Sequence, residues 1–290
     1  MHTPQLVDQP AELLAFLFSC HADVKKAKVR QWLKHGAIQV NGRSITRFNH
    51  PLQAGDVVSI RDKKEILAAG VLPFGMHILF EDASLVVIEK PAGLLSMASE
   101  TERERTAYAY LTEYVRYGTP RNTDRVWIIH RLDRETSGLM VFAKSEGAKL
   151  TLQGEWNEAD KRYLAVVEGN QIADEGLIAS HLDESQPYLV YSVRQPNERT
   201  RPAVTNYRVL KRGPDNALLE LNLKTGRRNQ IRVHLADAKC PVVGDNKYGA
   251  RTNPARRLAL HASLLQFPHP LSGELLRFES PLPPELASLV

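Results

Sequence analysis

The densest run of reactive side chains is Ile129-His130-Arg131-Leu132-Asp133-Arg134-Glu135-Thr136-Ser137-Gly138-Leu139. A β-rich stretch over 126–129 breaks into this polar turn and resumes over 138–143, which presents Arg131 and Asp133 at a strand end. Polar residues gathered on such a connection carry function more often than those inside elements. A lone carboxylate there is suited to accepting a proton or attacking an electrophilic carbon. It is equally suited to capping its own turn. Thr136 and Ser137 have hydroxyls for the turn backbone, and Gly138 is free to take a positive φ.

Two further segments carry chemistry. Lys161-Arg162-Tyr163-Leu164-Ala165-Val166-Val167-Glu168-Gly169 reads as a strand with a basic entry and Tyr163 near its start. A strand tyrosine also serves as core. In Lys224-Thr225-Gly226-Arg227-Arg228-Asn229-Gln230-Ile231-Arg232-Val233-His234-Leu235, Gly226 ends a strand and a helix follows. Read as one helix, Arg228 and Arg232 stand four residues apart and share a face. Arginines at a helix start suit phosphate or carboxylate. Other chemistries fit less well. His130, Asp133, His234 and Asp245 have metal-ligand types but no close ligand spacing. A paired-carboxylate glycosidase needs a second acid of matched role, and Glu135 is only two residues from Asp133.

These segments need elements to hold them. The chain has 290 residues, ordinary globular composition and a net charge of +5. Residues 191–260 hold fifteen Lys/Arg against five Asp/Glu, a local charge of +10 that suits a polyanionic partner. No apolar run approaches the roughly 18 residues of a membrane span. Cys20 and Cys240 make neither a disulfide framework nor a cysteine-built zinc site, which fits a reducing cytoplasm. Acidic Asp8 and Glu12 precede the apolar stretch 13–20, the reverse of a secretory signal, so the spacing of Leu13, Leu14 and Leu17 reads as a first helix. A second helix is expected over 24–35, capped by Asp23 and stopped by Gly36, with Val29, Trp32 and Leu33 inward. Its polar face carries Lys25, Lys26, Lys28, Arg30 and Lys34. A strand over 37–40, the hairpin turn Asn41-Gly42 and a strand over 57–60 complete a small α+β unit, 1–62.

Residues 63–75 read as a linker. The remainder, 76–290, is expected to hold strands at 77–80, 85–89, 126–130, 139–144, 162–168, 188–194, 204–211 and 217–223. Helices are expected at 104–116, 146–157 and 229–238. Consecutive strands joined by short turns predict an α+β fold with a mixed, mainly antiparallel sheet and flanking helices.

The pattern of 11–62 resembles the α-L RNA-binding motif. The three chemical segments resemble the RluA-type family of RNA pseudouridine synthases: HRLDRETSG its HRLD-x-x-TSG signature, KRYLAVVEG its second motif, and TGRRNQIRVHL with VVGDNKYG its third. Lys90-Pro91-Ala92-Gly93 and Arg201-Pro202-Ala203-Val204-Thr205 resemble further family segments. The resemblance implies Asp133 as the catalytic aspartate, Tyr163 as the active-site tyrosine and Arg232 as the partner of Asp133. It further implies Arg131 as the residue that fills the gap left by the extruded uridine. Asn229, after an extra Arg228, stands where many members have His. That departure bears on the local RNA contact, with Arg227, Arg228 and Asn229 read as RNA-binding.

The implied reaction detaches uridine at N1–C1′, turns the base and rejoins it through C5, so nothing is oxidised and no cofactor or metal is required. Asp133 attacks the sugar or takes a sugar proton, and the residues leave both routes open. The expected partner is structured RNA, with a lean to large-subunit ribosomal RNA and transfer RNA as the alternative. Nothing in the sequence calls for a membrane or a protein partner. The competing reading is a non-catalytic RNA-binding protein that kept the fold.

Overall fold

The computed structural model describes residues 3–34, 36–45, 47–61, 71–117 and 124–290. The chain divides into two compact units, Met1–Leu79 with Ala109–Arg125, and Phe80–Tyr108 with Val126–Val290. Among the described residues, no helix is long and apolar enough to cross a membrane.

In the first unit, helices α1 (Leu13–Cys20) and α2 (Lys26–Lys34) are followed by strands β1 (Ile38–Val40) and β2 (Val57–Ile60). Leu13, Leu17, Val29, Leu33, Ile38, Val40 and Val58 form its buried core, as the helical and strand spacings predict. The backbone of Lys25, rather than Asp23, receives the first helical bonds of α2, from the amides of Lys28 and Val29. Gly36 at φ 67° stops the helix, and Asn41 and Gly42 (φ 50° and 77°) make the tight turn that follows β1. Lys25, Lys26, Lys28 and Arg30 are exposed. The Lys26 ammonium and Arg30 guanidinium lie over the Phe18 ring, at 5.5 and 5.4 Å from its centroid. The Lys34 side chain lies outside the described residues. So do residues 62–70 of the expected linker, but 71–75 carry structure. Val71–Leu72 pairs with Met76 and His77 across a turn through Pro73–Gly75.

The second unit is built on β3 (Leu85–Lys90), β4 (Ser137–Ala143), α3 (Glu146–Gly154), β5 (Asp160–Glu168), β6 (Glu175–Asp183), β7 (Thr200–Arg212), β8 (Asn216–Leu223), α4 (Gln230–Asp237), β9 (Leu260–Pro268) and β10 (Leu275–Glu279). One mixed sheet runs in the order Tyr191–Val193, β6, β7, β8, β5, β9, β4, β3, with β10 beside β9. Every pair is antiparallel except β4 with β9. The α+β expectation therefore holds. Strands β6, β9 and β10 went unpredicted. β6 alternates only weakly because much of it is exposed, and its nine pairs with β7 set its length.

The parallel contact places the chemical segments. On one side of β9, Ala262 pairs with Gly138; on the other it pairs with Tyr163. Register between β5 and β9 shifts between Arg162 and Tyr163, a bulge of the kind that re-aims a side chain. Gly138 takes φ 117°, and a Cβ there would stand 2.2 Å from the Ala262 carbonyl oxygen. Ser137 turns away from the loop backbone, contrary to expectation. Its hydroxyl accepts from Arg257 and donates to His261 Nδ1 (2.8 Å), which leaves His261 Nε2 to donate to Ser280 (2.9 Å).

Gly138→Ala should destabilise the protein by about 3 kcal/mol or more, because neither the backbone angle nor the space admits a methyl group. At this chain length that lowers Tm by about 6 °C or more. A calorimetric Tm within a degree of wild type would contradict the close β4–β9 approach.

Candidate active site

The turn carrying Asp133 is held from behind by the loop that follows β3. The buried Lys90 ammonium donates to the carbonyls of Pro91 (2.9 Å), Leu94 (2.8 Å) and Arg134 (3.3 Å). Ser96 brackets Leu132, donating to its carbonyl (2.7 Å) and accepting from its amide (3.1 Å). Gly93 and Arg134 exchange two bonds, and the Thr136 amide closes the turn on the Asp133 carbonyl at 3.1 Å. The Asp133 carboxylate is thus free of its own turn and faces outward.

It faces a cleft, partly open to solvent, lined by Arg131, Asp133, Tyr163, Arg227, Asn229 and Arg232 among others. Arg232 Nη1 stands 3.4 Å from Asp133 Oδ2. Its two short bonds go elsewhere: Nε and Nη2 grip the buried Asp245 carboxylate side-on, at 2.6 and 2.7 Å. The Tyr248 ring lies 5.0 Å beneath the guanidinium. Burial alone would lower the Arg232 pKa, but Asp245 and then Asp133 outweigh it and raise it. Arg232 therefore stays charged. Sequence reasoning assigned Arg232 to Asp133 and missed Asp245 as its main anchor, although both lie in the third motif.

Asn229 is the second group on the Asp133 carboxylate. It sits at φ 52°, ψ 19°, a left-handed conformation that asparagine tolerates. With its amide oriented by its neighbours, the NH₂ donates to Asp133 Oδ2 at 2.7 Å. Its carbonyl accepts from Tyr248 Oη (2.9 Å) and Lys247 Nζ (3.2 Å). It is largely buried and bonded to the carboxylate, so it is a positioning group as well as part of the cleft wall. The left-handed turn also breaks the expected helical relation of Arg228 to Arg232, because α4 begins only at Gln230. The Arg228 guanidinium instead donates to the carbonyls of Glu184 (3.1 Å), Gln186 and Pro187 (2.8 Å). Lys247 was missed as well. Burial, then Arg232 and Arg228, lower its pKa against the pull of Asp133 and Asp245.

Tyr163 lines the cleft, and its hydroxyl has no protein hydrogen-bond partner among the described residues. Burial and the Asp133 charge raise its pKa, so the phenol stays protonated and able to donate. Gln230 completes the support: it accepts from Thr225 and the Arg227 amide, and donates to the Val204 carbonyl and Thr205. Arg131 is exposed at the cleft, and Arg227 lines it while donating to the Pro202 carbonyl at 3.2 Å.

The metal-ligand types are occupied otherwise. His130 stacks on Trp156 at 4.7 Å and accepts from the Val141 amide (3.2 Å). Burial and then Lys161 lower its pKa to about 3. His234 is bonded between Thr205 and Ser180. No group of three His, Cys, Asp or Glu side chains among the described residues could hold a metal ion.

A family model described as RNA pseudouridylate synthase matches residues 84–237, and one described as S4 domain matches 13–58. The uncharacterized RNA pseudouridine synthase YlyB of Bacillus subtilis is 35% identical over 283 residues, spanning 95% of this chain and 91% of its own. The ribosomal large subunit pseudouridine synthase D of Vibrio cholerae is 31% identical over 308 residues, spanning 98% and 91%. The solved structure of human RNA pseudouridylate synthase domain containing 4 superposes with a TM-score of 0.61 at 27% identity, over 72% of this chain and 90% of that one. The chain belongs to the RNA pseudouridylate synthase family. It is an isomerase that converts uridine to pseudouridine in RNA, with an S4 RNA-binding domain at its N-terminal end.

Lys90 gives the site a pH signature. Burial, outweighing Glu135 and Asp133, lowers its pKa from 10.5 to about 7. The unfolded chain holds that proton up to about pH 10, whereas the folded one gives it up from about pH 7. Lys90 therefore makes stability rise with pH across this window. Urea unfolding from pH 7 to 10 should show wild type gaining on Lys90→Met as pH rises. Parallel curves would contradict it.

Proposed function

We propose that the protein isomerises specific uridines in structured RNA through Asp133, with large-subunit ribosomal RNA as its substrate. The observation that carries this reading is a carboxylate free of its own turn, held by Asn229 and Arg232, in one cleft with a tyrosine hydroxyl that has no hydrogen-bond partner among the described residues. A base inside a structured RNA cannot reach such a carboxylate, so the uridine is extruded at a cost of a few kcal/mol. Arg131, exposed at the cleft, fills the vacated stack. The ring of Tyr163 lies against the base, and its protonated phenol donates to the detached base. Arg232 pairs with Asp133 and aims it at the sugar, and both routes open to a carboxylate use the same placement. Lys25, Lys26, Lys28, Arg30 and Lys34 of the S4 domain, with Arg227, meet phosphates and offset the extrusion cost.

The ribosomal reading is supported by the S4 domain and by relatives named as large-subunit enzymes. Its test is pseudouridine mapping in total RNA from cells with the gene, without it, and with Asp133→Asn. The expected result is one or more sites in large-subunit ribosomal RNA that vanish in both altered strains. Lost sites confined to transfer RNA would replace the substrate. Sites retained with Asp133→Asn would remove the aspartate from its role.

In vitro, Asp133→Asn should leave less than a few per cent of single-turnover activity with RNA affinity within about three-fold, because the amide keeps the shape and loses the charge. Filter binding and product assays on one RNA fragment check both.

A further inference from the structure

Residues 184–190, between β6 and strand Tyr191–Val193, are bonded at one end to Arg228, the residue before Asn229, and at the other to Tyr248, which bonds Asn229. At the start, Glu184 Oε1 accepts from the Arg228 amide at 2.6 Å, and the Arg228 guanidinium spans three carbonyls of the loop. At the end, the Val190 amide donates to Tyr248 Oη at 3.2 Å, the hydroxyl that also bonds Asn229. The Val190 side chain is fully buried with Leu182, Ala203 and Val233, against Tyr248. Between these anchors Tyr188 is 85% exposed, more than any other large hydrophobic side chain among the described residues.

The loop backbone is tied at both ends, so binding on the Tyr188 ring has little more than that one side chain to order. The surroundings favour a base over a protein surface. Arg131 is exposed and Arg227 half-buried along the cleft, and Lys247 lies over Tyr248. Aromatic rings beside cations form the stacking platforms that hold single-stranded nucleic acid. We propose that Tyr188 stacks on an unpaired RNA base flanking the target uridine, and that Arg228 serves RNA binding by holding this loop out rather than by touching phosphate. The proposal rests on the reading of the cleft as the uridine site.

The experiment measures RNA affinity and single-turnover rates over a salt series for wild type, Tyr188→Ala, Tyr188→Phe, Tyr188→Trp and Arg228→Gln. The probe is a stem-loop of large-subunit ribosomal RNA carrying the mapped uridine. Tyr188→Ala should weaken binding by about five-fold or more, the lower end of base–aromatic stacking. The Phe and Trp variants should bind within two-fold of wild type, since they keep the ring. The salt slope should be unchanged in Tyr188→Ala and in Arg228→Gln, with Arg228→Gln also weaker in affinity. Wild-type affinity in Tyr188→Ala would overturn the stacking role. A salt slope reduced by about 0.7 to 0.9 in Arg228→Gln would overturn the loop-holding role, since it marks a lost phosphate contact. Wild type that binds the RNA but makes no pseudouridine would defeat the functional reading instead, and the Tyr188 affinities would still decide the stacking.

Discussion

One guanidinium between two carboxylates organises this protein. Arg232 spends its planar fork on Asp245, which is almost wholly buried, and offers a single N–H to Asp133. A buried bidentate pair of this kind has fixed geometry, and leaving either member alone in low dielectric is costly. The strong pair therefore sets where the weak contact falls. Asp133 receives charge stabilisation without being clamped, and its second anchor is the neutral Asn229 amide. A carboxylate gripped side-on by arginine would have its lone pairs occupied. A carboxylate held by one amide and one distant N–H keeps the capacity to attack or to accept a proton.

The sheet delivers these groups to one place. Ala262 of β9 separates Gly138 on one side from Tyr163 on the other, so the Asp133 turn and the tyrosine approach the same point from different strands. Only glycine fits where β4 passes β9, and the bulge in β5 turns Tyr163 into the cleft. Lys90 and Ser96 tie the turn to the loop after β3, and Gln230 ties the start of α4 to β7. Each support is local, satisfied and buried, as a site that must hold geometry within fractions of an ångström requires.

Much of this was legible in the residues. The polar turn after an apolar stretch located Asp133, the strand pattern located Tyr163, and Arg232 fell in a segment rich in arginine and glycine. The helices and turn of the N-terminal unit followed from spacing, from Gly36 and from Asn41-Gly42. Directions were not legible. Arg228 and Arg232 look like one helical face until a left-handed Asn229 starts the helix two residues later than 228. Asn229 itself read as an RNA contact because nothing local points it at a residue 96 positions earlier. Asp245 read as a spare ligand because its partner is decided by how the chain after α4 returns to it. Strands β6 and β9 were hidden for opposite reasons: one is too polar to announce itself, and the other is an apolar run whose pairing is entirely long-range.

The Arg232–Asp245 pair is the claim on which the site stands. Asp245→Asn keeps the size of the side chain and removes its charge, while leaving Asp133, Tyr163 and Asn229 in the sequence. Single-turnover rates at saturating RNA measure the consequence directly. The account predicts a rate about 100-fold below wild type, the scale of a small misplacement of reacting groups, with RNA affinity little changed. A rate within two-fold of wild type would show that Arg232 finds Asp133 without Asp245, and would contradict it.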